Sequence, residues 1–167
     1  MAQRWPDRLW IIRHGQSAGN VARDAAHSAG LARIDIDYRD VDVPLSELGG
    51  LQSRALGRWF ASLPKNDRPN VVMTSPYLRA KETRELIRQE GGFSLEPNEP
   101  FRLDERLREK EFGILDRLTR PGITTLHPDQ AECRKLLGKF YHRPPGGESW
   151  CDVILRLRSA LDTISLH

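Results

Sequence analysis

Nothing in the sequence approaches the roughly 20 consecutive apolar residues that a helix needs to cross a bilayer. Arg4 and Arg8 near the start are not followed by an apolar stretch, so no secretory leader is read there. Cysteine is scarce: Cys133 and Cys151 have neither metal-site spacing nor the density of a disulfide framework. These absences point to the cytoplasm, with no membrane partner. An excess of one charge is also lacking. Lys and Arg number 26 against 23 acids, for a net +3, and the two signs interleave, as in Arg79-Ala80-Lys81-Glu82-Thr83-Arg84-Glu85. That pattern reads as a solvated surface and argues against a nucleic-acid partner, while a slight positive bias suits small anionic substrates. Internal repeats and low-complexity segments are missing as well.

What is present is enough for one globular domain: 167 residues, 38% of them hydrophobic and 29% charged. Leu9-Trp10-Ile11-Ile12 stops at polar residues and a glycine and reads as a buried strand. A polar, loop-like region from about Asn20 to Pro44 follows, and its Asp and Arg residues either shape substrate access or form a mobile surface loop. Ser46 then offers a helix cap, and Leu48, Leu51, Ala55, Trp59 and Leu63 form a helical stripe closed by Pro64. Val71-Val72-Met73 is a second strand. It leads into Ser75-Pro76, read as a cap with proline at the first helical position, and that helix ends at Gly91-Gly92. Phe101 and Leu103 suggest a third strand, 129–142 a helix, and Gly147 onward another, with Val153, Leu157, Ala160 and Ile164 on one face. Strands alternating with helices predict an α/β sandwich around a largely parallel sheet, whose ligands sit beyond the carboxyl ends of the strands.

Three clusters carry chemistry. Arg13-His14-Gly15 follows the first strand: neutral imidazole is a nucleophile near pH 7, guanidinium presents a fork to phosphate oxygens, and Gly15 lets backbone approach closely. Taken alone, the tripeptide reads better as a strand-end histidine held by local hydrogen bonds. Arg79 falls in the first turn of a helix, where the dipole and open N–H groups favour an anion; the alternative is an exposed arginine on an ordinary helix. In Leu107-Arg108-Glu109-Lys110-Glu111-Phe112-Gly113 a carboxyl group could protonate a leaving alcohol, although 104–111 holds four acids and most of them read as surface charge.

Taken together the clusters resemble the histidine phosphatase superfamily, the phosphoglycerate mutase-like proteins. Arg13-His14-Gly15 with Ser17 and Asn20 looks like the family's opening signature, and Pro44-Leu45-Ser46-Glu47-Leu48-Gly49 like its following helix start. Ser75-Pro76-Tyr77-Leu78-Arg79-Ala80-Lys81-Glu82-Thr83 is similar to its second arginine motif, Leu107-x-Glu109-x-x-x-Gly113 to its acid motif, and Gly147-Glu148-Ser149 to a later Gly-Glu-Ser. The resemblance implies a three-layer α/β/α sandwich and a phosphohistidine on His14. Arg13 and Arg79 would hold the phosphoryl oxygens, Asn20 would contact phosphate or substrate, and Glu109 would be the proton donor, with Glu105 the fallback acid. No metal or cofactor is implied. The family's second essential histidine, at the end of a later strand, has no counterpart among His27, His127, His142 and His167, so the single domain reads as truncated before it.

Among subclasses, Asn20-Val21-Ala22-Arg23-Asp24 departs from the glycolytic mutases, and the glycine-rich continuation of the sugar-bisphosphate phosphatases is missing. Phe140-Tyr141-His142-Arg143-Pro144-Pro145-Gly146-Gly147-Glu148-Ser149 resembles the broad-range phosphatases. The expectation is therefore a phosphomonoesterase acting on a small phosphorylated substrate. Mutase-type phosphoryl transfer and a non-catalytic phosphate-binding module are the alternatives.

Overall fold

Ser46 begins the best-defined helix of the chain. In a computed structural model that describes residues 5–92 and 102–165, its side chain accepts a hydrogen bond from the Gly49 N–H at 3.1 Å, which caps α2 (Glu47–Ser62) as the sequence leads one to expect. The buried face of α2 differs from the predicted stripe. Leu48, Leu51 and Trp59 are exposed, and the residues turned inward are Gly49, Ser53, Gly57 and Phe60. The reason is the closeness of the neighbouring helix, α3 (Leu78–Gly91): a methyl group at Gly57 would lie 2.7 Å from Glu90 Cβ and 2.8 Å from the Ile87 carbonyl. Small residues at intervals of about one turn let the two backbones meet, and larger side chains are displaced to the flanks.

The polar stretch after Asn20 is not a loop throughout. Residues Ala18–Ser28 form helix α1, in which Ala22, Ala25 and Ala26 supply strong helix-forming positions that a reading by polarity overlooked. Helix α3 starts at Leu78, two residues later than Pro76 suggested. Tyr77 occupies the cap position without a side-chain cap bond, and Gly92 closes the helix in the left-handed conformation, φ 62°. The second strand is β1 (Met73–Thr74), which pairs in parallel with β2 (Arg102–Leu103); Phe101 lies outside the described residues. Helices α4 (Arg120–Leu126), α5 (Pro128–Tyr141) and α6 (Trp150–Ser165) follow. Val153 and Ala160 of the α6 face predicted from sequence are buried, whereas Leu157 is exposed. The α/β class holds, with this one small parallel sheet among the described residues.

The run Leu9-Trp10-Ile11-Ile12 does not form a strand. Ile11 is 89% exposed and Leu9 and Ile12 are also exposed, because no chain runs beside them among the described residues to complete a hydrogen-bonded ladder. Trp10 alone is anchored, packing edge-on against Trp59 and Phe60 of α2 with ring centroids 5.4 Å away in each case.

The chain divides into two units. One takes in the residues up to Gly19, Tyr38–Arg108 and those from Thr163 onward; the other comprises Asn20–Asp37 and Glu109–Asp162. In the second unit, Thr119 caps α4 and also donates its hydroxyl to the Leu31 carbonyl at 2.6 Å. Ser149 and Asp152 cap α6 reciprocally: the Asp152 carboxylate accepts from the Ser149 N–H at 2.7 Å and the Ser149 Oγ accepts from the Asp152 N–H at 3.2 Å.

In the first unit, the start of α2 has no room for a side chain at Gly49, where a methyl group would overlap the Gln16 carbonyl and come within 2.9 Å of its carbon and nitrogen. Since the obstacle is backbone, Gly49→Ala is expected to destabilise the protein by about 1–3 kcal/mol. Urea unfolding monitored by circular dichroism checks this, and Gly50→Ala, which meets only Leu86 Cδ1 at 3.9 Å, should leave stability unchanged or raise it by up to about 1 kcal/mol, alanine being the better helix former.

Candidate functional site

His14 sits in a turn that is fastened on both sides. On one side the chain after it pairs with the segment before α2: Ser17 bridges Leu45, the Ala18 N–H donates to Pro44 O at 3.0 Å, and the Ser46 N–H donates to Gln16 O at 2.9 Å. The Gln16 N–H donates to Gln52 Oε1 at 2.9 Å, and Ser46 Oγ donates to Gln16 Oε1 at 2.7 Å. Gly15 faces Gly49 so closely that a methyl group would come within 2.9 Å of the Gly49 Cα. The glycine read as allowing close approach of a ligand is thus required by protein backbone. On the other side the Gly15 N–H donates to Thr83 Oγ1 at 3.2 Å, and Thr83 Oγ1 donates to the Arg79 carbonyl at 2.8 Å. One buried hydroxyl therefore ties the His14 turn to the helix turn that carries Arg79.

The imidazole is oriented by its own turn. His14 Nδ1 lies 2.6 Å from the Gly15 carbonyl oxygen. A carbonyl only accepts, so Nδ1 carries the proton and the lone pair of the neutral ring is on Nε2.

Arg79 is not an exposed surface residue: it is 5% exposed, in the first turn of α3. Its Nη1 donates to Asp40 O at 2.6 Å and to Asp40 Oδ1 at 3.0 Å, its Nη2 approaches Asp40 Oδ2 at 3.4 Å, and its guanidinium carbon stands 4.7 Å from the centre of the Tyr77 ring. Glu82, one turn along, accepts from the Leu45 N–H at 2.7 Å. Asp40, Thr83 and Glu82 were not singled out from sequence. Thr83 and Glu82 lie three to four residues after Arg79, and helical spacing would have marked them as its neighbours. Asp40 carried no such signal.

Arg13, exposed, belongs to the same unit as His14 and Arg79, as does the fallback acid Glu105, exposed in a 3-10 turn over Glu105–Leu107. Asn20, in the first turn of α1, and Glu109 belong to the other unit. There the Glu109 carboxylate accepts from the Lys110 N–H at 2.9 Å, and the Glu109 carbonyl accepts from Arg156 Nη2 at 3.2 Å. Of the remaining histidines, His127 links α4 to α5, and His142 is 3% exposed at the end of α5, with Nε2 3.3 Å from Gln130 Oε1. Among the described residues no group of three or more His, Cys, Asp or Glu is arranged to hold a metal ion, and no helix is long and apolar enough to cross a membrane.

Comparison with known proteins gives a consistent picture. The family model of the histidine phosphatase superfamily (branch 1) matches residues 9–167. A phosphoglycerate mutase-like protein of Arabidopsis thaliana, AT74H, is 31% identical, the match covering 95% of this chain and 53% of the relative. A 2,3-bisphosphoglycerate-dependent phosphoglycerate mutase of a Methylobacterium species is 33% identical over 90% of this chain and 64% of its own length. The chain thus spans about half to two thirds of these curated relatives. Among solved structures, mycobacterial glucosyl-3-phosphoglycerate phosphatase superposes with a TM-score of 0.63 at 27% identity, covering 91% of this chain and 64% of that one. A putative alpha-ribazole-5'-P phosphatase of Escherichia coli superposes with a TM-score of 0.68 at 17% identity, over 92% of this chain and 64% of that one, a likeness of fold.

Burial, followed by the positive charges of Arg134 and Lys110, lowers the affinity of His142 for a proton below the ordinary histidine range. The folded ring therefore takes up a proton less readily than the ring in the unfolded chain, which does so as pH falls through about 6.5. Stability should be fully present above that pH and fall below it, since the unfolded state then binds more protons. Denaturant midpoints at pH 7.5 and 5.5 are expected to differ less in His142→Gln than in the wild type.

Proposed function

Because the chain belongs to branch 1 of the histidine phosphatase superfamily, we propose that it hydrolyses phosphate monoesters through a phosphohistidine on His14. The observation that carries this reading is the Thr83 hydroxyl, which accepts from the backbone N–H following His14 and donates to the carbonyl of Arg79. It couples a nucleophile with a defined tautomer to a buried guanidinium, the pair of groups that phosphoryl transfer requires.

In the first step His14 Nε2 attacks phosphorus, a P–N bond forms and the P–O bond to the alcohol breaks. Glu109, as the acid, passes its proton to the departing oxygen. In the second step water attacks the phosphohistidine, Glu109 takes a proton from it, and inorganic phosphate leaves with the imidazole restored. Arg13 and Arg79 neutralise the charge on the phosphoryl oxygens throughout, and Asn20 contacts phosphate or substrate. Asp40 already engages both terminal nitrogens of Arg79, so an incoming phosphoryl oxygen must share or displace that carboxylate. Small phosphorylated molecules are the substrate class. The solved phosphatase at 27% identity favours hydrolysis, and the mutase at 33% identity is the reason to test transfer to a second alcohol as well.

The reading is tested on an aryl phosphate. His14→Ala should lower turnover by about a thousandfold or more, and wild-type protein quenched during turnover should carry an acid-labile phosphoryl group on His14. Equal rates in mutant and wild type would overturn the reading. Binding of phosphate without labelling of His14 would instead favour a non-catalytic module. Release of phosphate to water rather than to an added acceptor alcohol separates phosphatase from mutase.

A further inference from the structure

Glu109 sits in an exposed stretch, yet the backbone on either side of its successor, Lys110, is held from outside that stretch. The holder is an ion pair between Glu148, in the Gly-Glu-Ser segment, and Arg156, two turns along on α6. Arg156 Nε donates to Glu148 Oε1 at 2.9 Å and Nη2 to Glu148 Oε2 at 3.0 Å, and the two side chains are only 11% and 12% exposed. Each partner then reaches the acid segment. Arg156 Nη2 donates to the Glu109 carbonyl at 3.2 Å, Glu148 Oε2 accepts from the Glu111 N–H at 3.0 Å, and the Glu148 N–H donates to the Glu111 carbonyl at 2.9 Å. Phe112 extends the contact as a bridge to Gly147. Fixing the Glu109 carbonyl and both polar groups of Glu111 leaves the peptide units around Glu109 little freedom to rotate.

From this geometry we propose that the Glu148–Arg156 pair is a positioning device for the proton donor, resting on the assignment of Glu109 as that donor. An ion pair on the surface is worth little and would not be a reason to single one out. This pair is nearly buried and bidentate, and it spends its outward-facing donor and acceptor on the backbone of one short segment. A general acid acts only when its proton lies along the line to the leaving oxygen, so a shift of the segment by about 1 Å costs rate without altering the nucleophile.

The chemistry supplies a readout that simple loss of structure would not move. 2,4-Dinitrophenolate leaves without a proton, whereas phenolate depends on one. The ratio of kcat/KM for phenyl phosphate to that for 2,4-dinitrophenyl phosphate therefore reports the acid, and a ratio taken on one preparation is independent of its folded fraction. In the whole protein, Glu109→Gln should lower this ratio by about 100-fold. Arg156→Lys, which keeps the charge but loses the fork, and Glu148→Gln, which keeps the volume, should each lower it by about tenfold. If Glu109→Gln shifts the ratio and the two clamp variants leave it unchanged, or lose both activities in parallel, the positioning role is overturned and the acid assignment stands. If Glu109→Gln itself leaves the ratio unchanged, Glu109 is not the acid and the proposal falls with it. Loss of both activities in His14→Ala separates either failure from that of the nucleophile.

Discussion

The first unit depends on one close approach, that of the backbone at Gly15-Gln16 to the backbone at Gly49. Two glycines face each other where any side chain would collide with main chain, and this contact lets Ser46 do two things at once. Its hydroxyl caps α2 through Gly49, and its own N–H fixes the Gln16 carbonyl. A helix cap and the turn that carries His14 are therefore one structure. A loop built this way needs no long strand beneath it, and that is why His14 is held even though the residues before it form no ladder among the described ones.

From that contact the order passes to α3 through Thr83. Within a helix a threonine hydroxyl commonly turns back to the carbonyl four residues earlier, as here to Arg79. What is unusual is that the same oxygen also accepts from the Gly15 N–H. Burial makes the arrangement consequential, because Thr83 and Arg79 are each about 5% exposed or less. The His14 turn and the Arg79 turn share a hydrogen-bond partner, so a displacement of one is felt by the other.

The sequence made the Ser46 cap, the glycine stop at Gly91-Gly92 and the order of motifs legible, because each depends on residues a few positions apart. It misjudged the inward face of α2, since hydrophobic periodicity assumes that the largest apolar residues face the partner, whereas helices in close contact bury Gly49, Ser53 and Gly57. It read the chain from about Asn20 onward, most of the helix Ala18–Ser28, as loop because Arg23, Asp24 and His27 outweighed the alanines in polarity though not in helix propensity. The strand at Leu9-Ile12 was inferred from composition, yet a strand exists only with a neighbour. The proposed catalytic residues were read through motifs, those of His14, Arg79 and Glu109. Asp40 reaches Arg79, Thr83 reaches the His14 turn, and Glu148 and Arg156 reach the Glu109 segment through contacts as many as 68 positions apart in sequence, and no local pattern encodes such contacts.

The abundance of arginine has its own structural reason. A chain whose described sheet is two short strands has long connections, and their carbonyls cannot all be met by secondary structure. Arginine, with five donors in a planar fork, meets them while keeping its charge paired. Arg68 donates to the carbonyls of Leu63 and Ala61, Arg117 to that of Ile36, Arg79 to that of Asp40 and Arg156 to that of Glu109. In the last two the same guanidinium also binds a carboxylate, of Asp40 and Glu148 respectively. Both proposed ends of the chemistry, the arginine that would hold phosphate and the acid that would release the alcohol, thus rest on an arginine bonded to carboxylate and backbone together. Lysine has the charge and three donors but only one nitrogen, so it could not keep the two-nitrogen pairing with the carboxylate in such a position. The mixed-charge sequence that reads as an ordinary solvated surface is, at these positions, the means by which irregular backbone is held in place.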